Sequence, residues 1–312
     1  MFLYDFNQYE ENMKLYGGNA GRKLGIVIDG ENWLLKFPKT TRNLKTKVNL
    51  SYTTSPLSEY IGSHVYELLG YDVQKTLLGL KDGKLVVACK DFTDSSHELK
   101  EFREIKNYYN SILEEELDRT LTDSDDDSNY TSLDALSVHL AHNPVLQKVK
   151  GCTERFWDCV VIDGVINNND RNNGNWGLLV DTSNDTYELA PVFDNGGSFN
   201  NKLSEEEFMK RLESEEAMIK SATTSATSYS INGKMIQFKE LIELDYSGLK
   251  EAIRRVTPVF VSRFQSIEQM INEIPCEENG IKITSLYQKD FYIKSMKLRI
   301  ERIVLPRYNN LI

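Results

Sequence analysis

The sequence predicts an α+β fold of two lobes, with a small antiparallel-sheet lobe over residues 1–92 and a mainly helical lobe over residues 93–312. The first third of the chain alternates short apolar runs with turn residues, whereas long amphipathic segments follow it. In addition, a chain of 312 residues is long for one compact core, which suits two lobes or domains.

Two hairpins and one helix define the predicted sheet lobe. The strands Gly25–Asp29 and Asn32–Phe37 flank Gly30, and the strands Leu77–Leu80 and Leu85–Cys89 flank an Asp-Gly pair. Asp-Gly between apolar runs is a strong signal for a tight hairpin turn. Between the hairpins, apolar residues recur at helical spacing over Ser58–Leu69. The lobe is therefore predicted to be an antiparallel sheet with one inserted helix.

The second lobe is predicted to be mostly helical. Amphipathic spacing predicts helices at Leu99–Arg119 and Thr153–Ile166, and a further hairpin spans Gly177–Leu189. Eight acidic residues in Glu114–Asp127 predict a solvated loop. Seven Ser or Thr among the ten residues of Ser221–Ser230 also predict a loop.

The basic C-terminal segment, residues 281–312, allows two interpretations. It carries seven Lys or Arg against two acids. The segment is either a helix whose basic face is simply solvated or a docking surface for an acidic partner, and the sequence does not decide between them.

The overall charge and the apolar runs exclude several classes of protein. The chain has 37 Lys and Arg against 47 Asp and Glu, a net charge of −10, which argues against a nonspecific nucleic-acid binder. No apolar run is long enough to span a bilayer, so we expect no membrane span. The N-terminal segment lacks the pattern of a classical signal peptide, which predicts a cytoplasmic location. The four cysteines form no C-x-x-C pair and are expected to be reduced thiols.

An asparagine-rich segment, Asn167–Asn175, is the most informative part of the chain. Six asparagines in nine residues compete for backbone hydrogen bonds and disfavour a helix or a strand. The segment is either an unusual surface turn or a catalytic loop in which Asp170 is a base and Asn175 is a metal ligand. Phosphoryl transfer uses this arrangement, because a carboxylate accepts the hydroxyl proton while an amide oxygen contacts Mg²⁺.

Three further residues fit the same chemistry. Asp194 ends an apolar strand and precedes two glycines, so it is a candidate second Mg²⁺ ligand or else an ordinary turn residue. Lys36 lies in the apolar strand Trp33–Phe37, where a lysine requires a phosphate or carboxylate partner. Glu59 opens the following helix and is the predicted ion-pair partner of Lys36.

A glycine-rich segment precedes the first hairpin. Residues 17–25 contain four glycines and two bases, and such a loop can cover phosphates through its backbone N–H groups. It is not a Walker A loop, because no Ser or Thr follows Lys23. The predicted nucleotide-binding residues here are Gly18, Gly21, Arg22 and Lys23.

These features together predict a kinase that uses ATP and Mg²⁺. A Gly-rich turn, a strand lysine, a helix glutamate, Asp-x-x-x-x-Asn and a strand-end Asp follow one another in the order that protein kinases use. Two alternatives stay open. One is a small-molecule kinase of the aminoglycoside- or choline-kinase type, which uses the same arrangement of carboxylates and asparagine. The other is a kinase-shaped binding protein with a vestigial cleft.

The chain also resembles the HipA-like serine/threonine kinases, over roughly residues 15–200. The resemblance is carried by LLKFP around Lys36, SEYIGSHVYELLG around Glu59, INNNDRNNGNWGL around Asp170 and PVFDNG around Asp194. It implies a bilobal protein-kinase-like fold, autophosphorylation and transfer to Ser or Thr of a protein substrate.

The resemblance also implies roles for individual residues. Asp170 is the implied catalytic base, Asn175 and Asp194 are the implied Mg²⁺ ligands, and Lys36 is the implied contact to the α-phosphate. The implied hinge, whose backbone binds adenine, is the strand Leu85–Cys89, including Val87, Ala88 and Cys89, together with Lys90 and Asp91.

The sequence departs from the family pattern at three places. Asn172 stands where the family has His in Asp-x-His-x-x-Asn. The kinase motifs begin almost at residue 1, so no HipB-like antitoxin partner is predicted. The glycine-rich loop lacks the serine that the family phosphorylates, for which Ser221–Ser230 is a candidate substitute. The resemblance further implies a bacterial effector exported without a classical signal peptide and acting on host proteins.

Overall fold

The computed structural model describes residues 3–17, 21–42, 50–121 and 131–312. The first lobe is built on a six-stranded sheet with the order β1-β5-β6-β4-β3-β2. Its strands are β1 (Tyr4–Asp5), β2 (Glu11–Asn12), β3 (Lys23–Ile28), β4 (Glu31–Lys36), β5 (Thr76–Lys81) and β6 (Lys84–Lys90). The sheet is mixed rather than purely antiparallel as predicted, because β1 pairs with β5 in parallel.

Both predicted hairpins of this lobe are present. β3 and β4 are joined by Asp29 and Gly30, with φ angles of +51° and +79°. β5 and β6 are joined by Asp82 and Gly83, with φ angles of +52° and +69°. Two successive residues with positive φ match the right-handed twist of the flanking strands, which is why Asp-Gly is favoured at these positions.

Helix α1 (Ser55–Leu68) packs on one face of the sheet and fixes the direction of the β4 side chains. It begins three residues before the predicted start, with a proline in its first turn, where the missing N–H costs nothing. Leu34 of β4 belongs to the core beneath α1, whereas Leu35 and Phe37 belong to a separate core on the opposite face. Because side chains alternate along a strand, Lys36 points to the same face as Leu34.

The second lobe is mainly helical and has small sheets at its edges. Its helices are α2 (Phe102–Ile105), α3 (Ser111–Thr120), α4 (Leu133–His142), α5 (Cys152–Ile166), α6 (Glu205–Leu212), α7 (Glu215–Thr223), α8 (Phe238–Leu241), α9 (Ser247–Glu273), α10 (Leu286–Arg299) and α11 (Leu305–Asn309). Its strands are β7 (His97–Glu101), β8 (Thr131–Ser132), β9 (Gly177–Asp181), β10 (Thr186–Leu189), β11 (Ala226–Ile231), β12 (Lys234–Gln237), β13 (Glu277–Glu278) and β14 (Ile281–Lys282).

Two of these sheets each combine a hairpin with one further strand. β7 adds to the β9–β10 hairpin, and β8 adds to the β11–β12 hairpin. The buried helix α5 packs along the long helix α9. The end of α5 leads directly into Asn167–Asn175, so the lobe presents this loop towards the sheet of the first lobe.

The predicted helix Leu99–Arg119 is wrong. Leu99 lies in β7, which pairs with β9, and two short helices follow it in place of one long helix. The helical spacing in the sequence includes Tyr109 and Ile112, which are exposed rather than part of the core. Pairing with a distant strand therefore overrides the local pattern.

The two predicted loops also differ from the structure. Residues 114–120 of the acidic segment are helical in α3, and residues 122–127 lie outside the described part of the chain. Most of Ser221–Ser230 is ordered in α7 and β11, and Ser225, Thr227, Ser228 and Ser230 are buried. Their hydroxyl groups are therefore poorly placed to receive phosphate.

The basic C-terminal segment is only partly solvated. Lys289 and Arg299 are buried and donate hydrogen bonds to backbone carbonyls, whereas Lys294 and Lys297 are exposed. Within the described ranges, no helix has the combination of length and apolar character that a bilayer span requires.

Candidate active site

A cleft of about 630 Å³ lies between the sheet of the first lobe and the Asn167–Asn175 loop of the second. It brings together predicted site residues that are far apart in the sequence: Lys23, Lys36, Asp170, Asn175 and Asp194. Glu59 lies in an adjoining recess that also contains Lys36, Asp170 and Asp194.

Lys36 forms two ion pairs, and one of them links the two lobes. Its Nζ lies 3.0 Å from Oε2 of Glu59 on α1 and 3.0 Å from Oδ1 of Asp194 in the second lobe. Burial alone would lower the pKa of Lys36, but the Asp194 and Glu59 carboxylates raise it well above its usual value. The lysine is therefore a permanent cation inside the cleft.

Asp194 is a carboxylate throughout the physiological pH range. Burial would raise its pKa, but the neighbouring Lys36 ammonium outweighs burial and lowers the pKa to about 2. The backbone at Asp194 is left-handed, with φ of +57°. This conformation ends the preceding extended segment and directs the chain into Gly196 and Gly197.

Gly197 allows the Asp194 segment to approach the catalytic-loop candidate closely. A Cβ atom at this position would lie 2.6 Å from Cβ of Asp170 and 2.8 Å from Oδ1 of Asn168. No side chain fits there without movement of the loop. The glycine thus permits the two acidic residues to share one cleft.

Arg171 holds the Asn-rich loop in place, and sequence reasoning missed this role. Its guanidinium group is 2% exposed and forms a bidentate pair with Asp163 of α5, at 2.8 and 3.0 Å. It also donates to the Asn175 carbonyl oxygen at 2.9 Å and to Oδ1 of Asn195 at 2.6 Å. The sequence does contain a signal for this ion pair: an aspartate lies within the apolar run of α5, eight residues before an arginine in a polar loop.

Asn195 extends this network to the first lobe. Its backbone N–H donates to Oε1 of Glu59 at 2.9 Å, and its Nδ2 donates to Oγ of Ser63 at 3.1 Å. Asp163, Arg171, Asn195, Glu59 and Lys36 therefore form one continuous chain of polar contacts. The chain fixes the orientation of Glu59, and through it that of Lys36.

Asp170 and Asn175, the predicted base and metal ligand, both line the cleft and are joined by a hydrogen bond. Asp170 is partly exposed to the cleft, and its Oδ1 accepts a hydrogen bond from Nδ2 of Asn172 at 3.2 Å. Asn175 donates its Nδ2 to the Asp170 carbonyl oxygen at 2.5 Å, which leaves the amide oxygen of Asn175 for a cation.

The residues present fit Mg²⁺ bound together with a nucleotide. The Asp194 carboxylate and the Asn175 amide offer the oxygen ligands that Mg²⁺ prefers. Among the residues that the structure describes, no cluster of three or more His, Cys, Asp or Glu could form a complete metal site. The remaining ligands would then be phosphate oxygens and water, which is usual for Mg²⁺ in phosphoryl-transfer sites.

The glycine-rich segment contributes one predicted residue to the described cleft. Lys23 lines it, and its Nζ donates to the Gly17 carbonyl oxygen. Arg22 lies elsewhere, because its guanidinium group is 4.3 Å from the centre of the Phe37 ring and 3.6 Å from Asp82. Gly21 has a φ of +74°, and the prediction for Gly18 lies outside the described residues.

Most of the implied hinge lies within the sheet. Val87, Ala88 and Cys89 belong to β6, where β4 pairs on one side and β5 on the other. Of the implied hinge, Asp91 lines the cleft, together with Phe92, Thr93 and Gln74. Gln74 donates its Nε2 to the Lys90 carbonyl oxygen at 2.9 Å.

Comparison with known proteins finds relatives both in sequence and among solved structures. No protein-family model matches the chain. Over 193 residues, 62% of this chain, it is 38% identical to the serine/threonine-protein kinase CtkA of Helicobacter pylori, and the match covers 54% of that protein. The match thus spans about half the length of this curated relative.

The structural matches extend over nearly the whole chain. The crystal structure of a Helicobacter pylori proinflammatory kinase, CtkA, matches with a TM-score of 0.82 at 28% identity, over 99% of this chain and 97% of that one. HipA of Shewanella oneidensis, solved with HipB and operator DNA, matches with a TM-score of 0.54 at 11% identity, over 98% of this chain and 70% of that one.

Proposed function

We propose that this chain, which has the HipA-like kinase fold and is a sequence relative of CtkA, is an ATP- and Mg²⁺-dependent serine/threonine protein kinase. The observation that carries the proposal is the Lys36 ion-pair system. A cationic lysine contacts both a helix glutamate and a cleft aspartate at 3.0 Å, beside a second acid and an asparagine amide. Kinases use this set of groups to bind phosphates and to align the transfer.

Asp170 is the proposed catalytic base. The acceptor hydroxyl oxygen bonds to the γ-phosphorus of ATP while the bond from that phosphorus to the ADP oxygen breaks. The hydroxyl proton passes to the Asp170 carboxylate, which the hydrogen bond from Asn172 orients at 3.2 Å. Lys36 contacts the α-phosphate, and Asn175 and Asp194 would hold Mg²⁺, which would neutralise phosphate charge.

The adenine site is proposed at the segment that follows β6. Gln74 and Asp91–Thr93 line this end of the cleft. Val87, Ala88 and Cys89, which the resemblance implies as adenine-binding residues, do not line this cleft. Their backbone groups are committed to the sheet on both sides.

Two finer proposals rest on similarity alone. We propose that the chain phosphorylates itself on Ser or Thr, at residues other than the buried ones of β11. We also propose that it is an exported effector acting on host proteins, which its likeness to a kinase described as proinflammatory supports. Incubation of host-cell extract with labelled ATP, with and without the protein, tests the second proposal directly.

Labelled phosphate transfer tests the main proposal. Wild type, Asp170→Asn and Asp194→Asn are incubated with [γ-³²P]ATP, Mg²⁺ and a generic protein substrate, followed by phosphoamino-acid analysis. Phosphoserine or phosphothreonine from wild type, and at most about one hundredth of it from either variant, is expected. Equal labelling by all three proteins would refute the site. Transfer only to a small molecule, or nucleotide binding without transfer, would support the alternatives instead.

A further inference from the structure

Lys39 is a cationic side chain of the cleft that the proposed mechanism does not use. Within the described residues, the cationic side chains that line the cleft are Lys23, Lys36, Lys39 and Arg103. Lys36 is paired with two carboxylates, Lys23 donates to a backbone carbonyl, and Arg103 pairs with Glu101. No hydrogen bond or ion pair engages the Lys39 ammonium group within the described ranges. A half-buried lysine without a partner is available to bind an anion.

Lys39 lies at the end of the cleft opposite the proposed adenine site. It lines the main cleft and also the recess formed with Asp170, Asp194, Gly196 and Gly197. That recess contains neither Gln74 nor any residue of Asp91–Thr93, which line the proposed adenine end. Lys39 is therefore at the end where the terminal phosphate and the acceptor hydroxyl meet.

A hydrogen bond and a close contact hold Lys39 at this end of the cleft. The Thr53 N–H donates to the Lys39 carbonyl oxygen at 2.9 Å, which ties the segment after β4 to the start of α1. A Cβ atom at Gly21 would lie 3.4 Å from Cγ of Lys39, so the glycine-rich segment passes over its stem. The positive charge of Lys39 also contributes, after the larger effect of Lys36, to the low pKa of Asp194.

We infer that Lys39 contacts the γ-phosphoryl group of ATP and distinguishes ATP from ADP. This inference rests on the proposed function. Lys36 binds phosphate oxygens that both nucleotides share, whereas Lys39 meets only the group that is transferred. Its charge neutralises oxygens that leave with the phosphoryl group, so it supports transfer as well as binding.

Binding of the two nucleotides to one variant tests the inference. The affinities of Mg²⁺·ADP and of Mg²⁺·AMPPNP, a non-hydrolysable ATP analogue, are measured calorimetrically for wild type, Lys39→Met and Lys39→Arg. We expect Lys39→Met to weaken AMPPNP binding about tenfold, the scale of one charge-assisted hydrogen bond, and to change ADP binding by less than about twofold. Lys39→Arg should recover part of the AMPPNP affinity.

The controls separate this inference from the proposed function. Lys297→Met removes an exposed lysine of α10 and should change neither affinity. Equal weakening of ADP and AMPPNP by Lys39→Met, or no weakening of either, would overturn the assignment to the γ-phosphate. If wild type binds neither nucleotide, the proposed kinase function itself fails. Thermal unfolding of each variant establishes that the proteins compared are folded.

Discussion

At the scale of single residues, the ion pairs of Lys36 explain how a net-negative chain can hold a polyphosphate. The local field in the cleft is set by Lys36 and its neighbours rather than by the overall charge of −10. In the structure, Lys36 contacts Asp194 directly at 3.0 Å. A bound nucleotide and Mg²⁺ would replace this contact with one phosphate contact and one metal contact.

The pH dependence of stability tests the Asp194 contact. The pKa of Asp194 is about 2 in the folded protein against an ordinary value of 3.8, so folding gains stability from its ionisation above pH 3.8. That gain, up to about 2 kcal/mol, is lost as the pH falls towards 2. Urea unfolding at a series of pH values should therefore show Asp194→Asn to be less stable than wild type at pH 6. The difference should shrink below pH 4.

Asp118→Asn is the matched control for this measurement. Asp118 is an exposed acid of α3, and its replacement should leave the profile of the free energy of unfolding against pH unchanged. A constant difference between wild type and Asp194→Asn from pH 2 to pH 6 would show that the Lys36 contact does not control this carboxylate.

At the scale of secondary-structure elements, the catalytic-loop candidate is rigid because helix α5 and Arg171 hold it. α5 ends at Ile166, and the next residue, Asn167, has a φ of +55° that turns the chain out of the helix. Arg171 then folds back onto Asp163 of the same helix. A loop of nine residues that is mostly asparagine is thereby given a single conformation without regular secondary structure.

Replacement of Arg171 should destabilise the protein strongly. Arg171→Met leaves the Asp163 carboxylate buried without its cation, which typically costs about 3–5 kcal/mol. Arg171→Lys keeps the charge but loses the bidentate geometry, so an intermediate loss is expected. Chemical denaturation measures both. Arg302→Met, at an exposed position of the C-terminal segment, should change the free energy of unfolding by less than about 0.5 kcal/mol. An Arg171→Met variant as stable as this control would contradict the role of the network.

The elements show which features a sequence can predict. Both Asp-Gly hairpins, the strand lysine and the two acid motifs depend on nearby residues, and local patterns predicted their structure correctly. The predicted helix Leu99–Arg119 failed because β7 pairs with β9, nearly eighty residues away. The Asn195 to Glu59 hydrogen bond joins residues 136 positions apart, so no local pattern could predict it. Strand pairing likewise buries several of the Ser221–Ser230 hydroxyl groups, although the composition of this segment predicts a loop.

At the scale of the whole molecule, the two lobes meet at the candidate site itself. Lys36 joins the sheet to the second lobe through Asp194, and Glu59 of α1 accepts the Asn195 N–H. The same contacts that join the lobes thus position the groups proposed to bind phosphate. This arrangement makes the cleft, rather than either lobe, the functional unit of the chain.

The rate of phosphoryl transfer by Asp170→Asn tests the central claim most directly. We predict that this variant binds Mg²⁺·ATP within about threefold of the wild-type affinity, because Asp170 accepts a proton and makes no proposed nucleotide contact. Under single-turnover conditions its transfer to Ser or Thr should be at least about a hundredfold slower than that of wild type. Transfer at the wild-type rate, with ATP binding intact, would contradict the account.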